Sequence, residues 1–217
     1  MQIHHLSENN SVLNRFLAEI RDVAVQGDSL RFRRNIERIG EVMAYELSKT
    51  LDYRESAVQT PLGVKKSTEI SDRLVICTIL RAGLPLHTGF LNVFDSAENG
   101  FISAYRYHPN QDDDIAIKVE YQAVADINGK TVILVDPMLA TGQSMVAVYR
   151  RLMERGTPKA VHIAVVVAAP EGIEQLHEHL PDSCHLWIAA LDERLDRHSY
   201  IIPGLGDAGD LAFGEKL

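Results

Sequence analysis

The chain has 217 residues, 46% hydrophobic and 24% charged, a balance that excludes a disordered segment or a membrane bundle. Its 30 acidic residues against 22 Lys and Arg give a formal charge of -8, which argues against a sequence-independent grip on nucleic acid. Cys77 and Cys184 stand far apart without metal-ligand spacing, and neither a leader nor a run of bilayer length is evident. The expectation is one cytoplasmic domain, residues 1–217, with no membrane partner.

The stretch GDSLRFRRNIERIGEVMAYELSKTL, residues 27–51, places Ile36, Ile39, Met43 and Leu47 at helical spacing, with Asp28 or Ser29 as the cap. Its RFRR segment reads as a solvated face. After AVQTPLGVKK, the run RLVICTIL is a buried strand ending at Arg81-Ala82-Gly83, and residues 84–94 form a helix. GFISAYRY and IAIKVEYQAV are strands joined through HPNQDDD, a hairpin with a polar tip whose three acids are solvated. TVILV, a helix from about residue 144 to 155, AVHIAVVVAA, PEGIEQLHEHL and HLWIAAL then alternate strand and helix. Near-continuous apolar strands of this kind belong to a parallel sheet covered on both faces, and such sheets bind ligands beyond their carboxyl ends.

Three loops at those ends carry chemistry. After Val135, Asp136 stands at a strand end, followed by Thr141, Gly142 and Ser144 at a helix start, where backbone N–H groups and hydroxyls make a phosphate cradle. Asp136 either accepts from sugar hydroxyls or caps a turn. Arg81, followed by Ala and Gly, suits a pyrophosphate, and Arg106 approaches from another strand; for each the alternative is a surface ion pair. The tail SYIIPGLGDAGDLAFG, residues 199–214, reads as an ordered loop turning its backbone toward a ligand at Gly204, Gly206 and Gly209. The nine histidines form neither a triad nor a metal-ligand pattern.

CTILRAGL, VDPMLATGQS, VAAPEGI and YIIPGLGDAGDLAFG, in that order, resemble the motifs of uracil phosphoribosyltransferases, and RFRRNIERIGEVMAYE resembles the family's N-terminal helix. The likeness covers nearly the whole chain. It implies an α/β, Rossmann-like type I phosphoribosyltransferase fold: a central parallel sheet with helices on both faces, a base-binding hood at about 192–214 and a β-arm. It implies transfer of ribose 5-phosphate from phosphoribosyl diphosphate to N1 of uracil, giving UMP and diphosphate, with Mg²⁺ held through the diphosphate rather than by protein ligands.

By the same resemblance Asp136, Arg81 and Arg106 are the catalytic set. Phosphoribosyl diphosphate is held by Arg81, Arg106, Asp136, Pro137, Met138, Leu139, Ala140, Thr141, Gly142, Gln143, Ser144 and Asp207. Uracil is held by Ile201, Gly206, Asp207 and Ala208, chiefly through the backbone. Pro137 stands where many phosphoribosyltransferases carry a second acid, as the uracil branch has it. Gln143 and Cys77 replace that branch's usual Gly and Pro. A pyrimidine-sensing RNA-binding regulator and a purine phosphoribosyltransferase are the rival readings; the acidic charge weighs against the first and the Gly-rich tail against the second. A homodimer or higher homo-oligomer is expected because the strands around residues 100–121 look like an arm needing a partner. GTP activation is left open.

Overall fold

A computed structural model describes residues 1–107 and 116–215, with the side chains of 105–107 and 116–118 outside that description. The core is a seven-stranded sheet in the order β1, β9, β8, β7, β4, β5, β6. Its strands are β1 (Gln2–His5), β4 (Leu74–Leu80), β5 (Glu98–Tyr107), β6 (Ala116–Val124), β7 (Thr131–Leu139), β8 (Ala160–Ala168) and β9 (His185–Leu191). Every neighbouring pair is parallel except β5 with β6.

The continuous apolar runs have a direct structural cause. Alternate residues of one strand serve two different cores: Ile133 and Val135 pack with α1 (Leu13–Arg21), α2 (Ser29–Ser48), α3 (Leu84–Val93) and α6 (Ala208–Phe213). Val132 and Leu134 face the other way, with α4 (Gln143–Met153) and α5 (Pro170–His179). Both faces are covered, so the strand positions are almost all apolar. The Asp28 carboxylate caps α2, accepting from the N–H groups of Leu30 and Arg31. Gly40 and Gly89 let α2 and α3 touch backbone to backbone, since a Cβ on Gly89 would sit 2.1 Å from the Glu37 carbonyl oxygen.

Several features differ from the sequence expectation. Residues 2–5 add an edge strand parallel to β9, and α1 precedes the long helix. The strands around 100–121 do pair as an antiparallel hairpin, but as the edge of the main sheet, with β5 hydrogen-bonded to β4. The tip with its three acids lies outside the described residues. The separate two-stranded ladder is β2 (Tyr53–Thr60) with β3 (Gly63–Ile70), nearly every residue of which is exposed. The RFRR segment is only partly solvated: Phe32 is buried, and Arg33 donates to the Ala212 carbonyl at 2.6 Å, closing the end of α6.

Candidate active site

Strand β7 does not stop at Val135. It runs on to Leu139, with Asp136 paired to Val165 and Met138 to Val167 of β8, so the loop proper is Ala140, Thr141 and Gly142. Gly142 takes φ +76 and ends the turn directly under α4. No side chain caps that helix, and its first internal bond is from the Val146 N–H to the Gly142 carbonyl. The amides of the first turn therefore point outward as a ready anion site. The loop is wedged against α5: a Cβ on Gly172 would lie 2.4 Å from the Ala140 carbonyl oxygen. Gly172, within VAAPEGI, is thus a site-building residue to which sequence reasoning gave no role.

Opposite this turn lies the loop after β4, entered through a cis peptide between Leu80 and Arg81. The Arg81 guanidinium reaches Asp210 at 3.3 Å and the Gly214 carbonyl at 3.2 Å, tying this loop to α6. Its Nε is buried without a hydrogen-bond partner. The third wall is the hood. The short ladder β10 (Arg194–Leu195) with β11 (Ile201–Ile202) is closed by the Asp196 carboxylate, which accepts from the His198 and Tyr200 N–H groups. Asp207 then caps α6, its Oδ1 accepting from Gly209 N–H at 2.8 Å and Asp210 N–H at 3.0 Å.

These walls enclose a cavity of about 540 Å³ at the carboxyl ends of the strands. Of the expected residues, Arg81, Asp136, Met138, Leu139, Ala140, Thr141, Gly142, Ser144, Gly206, Asp207 and Ala208 line it. Pro137, Gln143 and Ile201 do not. Pro137 is buried within β7, Gln143 faces solvent, and Ile201 is buried with its carbonyl oxygen against Gly204. The side chain of Arg106 lies outside the described residues; its backbone pairs with Ile117 in the β5–β6 hairpin. The turn His198, Ser199 and Tyr200, inside the expected hood but not among the expected contact residues, also lines the cavity, with Ser199 at φ +64. Asp136 has no cationic partner among the described residues, and burial pushes its carboxyl up to about 7 against the opposing hydrogen bond from the Met138 N–H.

The family described as Uracil phosphoribosyltransferase matches residues 7–215. The chain belongs to the uracil phosphoribosyltransferase family. A relative so named from Porphyromonas gingivalis is 52% identical over all of both chains. Another so named from Pyrococcus furiosus is 38% identical, covering 97% of this chain and 89% of its own. Among solved structures, that of the AQ2163 protein from Aquifex aeolicus superposes with a TM-score of 0.87 at 29% identity, covering 98% of each chain. The match spans the uncapped α4 turn, the Arg81 loop and the hood alike. All three walls of the cavity therefore belong to the uracil phosphoribosyltransferase part of the sequence.

Proposed function

We propose that this chain transfers ribose 5-phosphate from 5-phospho-α-D-ribose 1-diphosphate to N1 of uracil. The bond from C1 of the ribose to the diphosphate oxygen breaks, the bond from C1 to N1 forms, N1 gives up its proton, and UMP and diphosphate leave. One observation carries the reading: the uncapped start of α4, the Arg81 guanidinium and the 206–208 backbone face a single cavity in a chain of this family.

In this reading the amides and hydroxyls of residues 140–144 hold the 5-phosphate, and Asp136 accepts from the ribose hydroxyls. Arg81, joined by Arg106, takes the diphosphate, whose negative charge grows as it departs. Placement and charge neutralisation suffice, because the sugar carbon becomes cationic without a covalent partner. Uracil offers two carbonyl acceptors flanking an N–H donor, which the backbone of Gly206 to Ala208 complements without a polar side chain.

Among the described residues, Asp136 and Asp207 are the carboxylates that line the cavity, and Asp207 is committed to its cap. That donor set fits an ion arriving on the substrate's diphosphate. Mg²⁺ so bound would neutralise the leaving diphosphate. We further propose a homodimer assembled through the exposed β2–β3 ladder, whose apolar Val58, Leu62 and Val64 are left open to solvent. The purified chain, given uracil, phosphoribosyl diphosphate and Mg²⁺, is expected to form UMP and to leave cytosine untouched. Cytosine reverses donor and acceptor at two positions, each mismatch costing about 1–3 kcal/mol. Absence of UMP, or equal use of cytosine, overturns the reading.

A further inference from the structure

The segment that reads the base is oddly placed for a part that must hold a shape. Gly206 and Asp207 line the main cavity on one side and a second cavity of about 310 Å³ on the other, so this stretch is a wall between two spaces. Gly204 and Gly206 both sit at positive φ, +63 and +89, where the backbone has least intrinsic preference. Leu205 and Ala208 tuck into the core, yet packing alone does not fix the peptide planes between them.

Charged groups take hold of the chain just upstream. Arg21, at the end of α1, makes a two-pronged pair with Asp192, which follows the last residue of β9, at 2.7 and 2.8 Å. The same guanidinium donates to the Gly204 carbonyl at 2.9 Å, and the same carboxylate accepts from the Gly204 N–H at 2.9 Å. Both polar groups of one peptide residue are thus gripped by an ion pair anchored in a helix and in the sheet. The Asp192 side chain is only 6% exposed, so the pair is shielded from solvent and rigid. Gln26, in the turn after α1, adds a bond to the Leu205 carbonyl at 3.2 Å.

We propose that Arg21 and Asp192 are positioning residues for base recognition: a clamp that sets the path of residues 204–208 and thereby the affinity for uracil, without lining the cavity. The inference rests on the reading in which that backbone recognises uracil.

The test is steady-state kinetics, titrating each substrate separately, on Arg21→Gln, Asp192→Asn and, as a conservative control, Arg21→Lys. Misplacing recognition groups by about an ångström costs on the order of ten- to a hundred-fold, so the KM for uracil is expected to rise by that factor in the first two variants. The KM for phosphoribosyl diphosphate is expected to stay put, and Arg21→Lys to fall between. Arg31→Gln, which breaks an ion pair with Glu19 and no bond to residues 204–208, should change neither constant. Should the clamp variants fail to fold, Gln26→Met, which removes the weaker pin, is expected to raise the uracil KM alone by a smaller factor. An unchanged uracil KM in folded variants, or both constants rising together, overturns the clamp. Failure of the unmodified chain to make UMP overturns instead the reading on which the clamp rests.

Discussion

At the carboxyl ends of the strands Asp136 faces a cavity without a cation beside it, and burial pushes its carboxyl up to about 7. At the amino ends Asp72, its side chain only 3% exposed, titrates the opposite way. Burial, its largest single influence, would raise it, yet Lys159, the Asp52 N–H and the Thr131 hydroxyl together hold it below the usual carboxylate range. The pattern extends beyond these two residues. The amino ends also carry Lys130 paired with Glu98 at 2.7 Å and the terminal amine paired with Asp182 at 2.8 Å. The carboxyl ends leave Thr78 Oγ1 and Arg81 Nε buried without partners. One end of the sheet saturates its polar groups and the other keeps them available. A binding site carries an unpaired charge at a cost to stability, which the opposite end offsets.

Asp136→Asn tests this contrast most severely. Activity is expected to fall by about 10²–10³ in kcat/KM, the scale for losing one well-placed charge-assisted contact, while the fold is kept. The stability sign is also fixed. Because the folded pKa is raised from 3.8 to about 7, the favourable contribution is full below 3.8 and is lost as pH rises through about 7. The variant should therefore melt higher than the parent at pH 8, with the advantage fading toward pH 4. A lower melting temperature at pH 8 would break the comparison.

Gly206→Val comes next. An added Cβ there meets no protein atom within 4 Å, so the side chain projects into open space, but φ +89 strains any L-residue. Uracil turnover should be lost while phosphoribosyl diphosphate still binds by calorimetry; normal turnover would remove the base loop from the working end.

Asp72→Asn is the mirror experiment. It should lower stability by about 1–3 kcal/mol, as expected for losing hydrogen bonds to a charged group, and leave the KM values of both substrates alone. Denaturant melts and kinetics on the same preparation check both halves.

The smallest effect concerns a stack of rings at the amino ends: His4 over Trp187 at 3.8 Å and His162 over His185 at 4.7 Å between ring centroids. Burial lowers all three histidines, His162 to about 4; repulsion from His185 adds to it at His4 and from His185 and His4 at His162, the terminal amine adds to it at His185, and Asp72 opposes it at His162. Stability that is complete above pH 6.5 should drain away as pH falls through about 4. His162→Gln should flatten that acid limb in thermal melts without moving activity at pH 8.

How much of this was readable beforehand depended on the range of the interactions. Strands β4, β7, β8 and β9 announce themselves because burial on both faces forces long apolar runs. The turn after Asp136 is legible because Gly142 and the helix after it are local in sequence. The edge strand Gln2–His5 is polar and gains its structure only from β9, so periodicity could not find it. Leu13, Leu17 and Ile20 do carry the spacing of α1, but Asn and Arg between them dilute it. The β2–β3 ladder alternates nothing, being exposed on both sides. Least legible were the partners of Arg81 and Arg21, which lie 129 and 171 residues away. Arg34, by contrast, pairs with Glu37 one turn along its own helix, and Arg31 with Glu19 on the helix just before, and no sequence signal separates these arginines from the long-range ones.

The parallel pairing of Gln2–His5 with His185–Ile188 also orders events during synthesis. Residues 2–5 cannot dock until β9 has been made, and Arg21 must wait for Asp192. Residues 185–192 must thus be made before residues 2–21 are held in place, and closing so large a loop is a slow step. The wall proposed to read the base is therefore completed only when Arg21 meets Asp192, 171 residues further on, and a nascent chain released before that point would carry the turn after Asp136 without the clamp on Gly204.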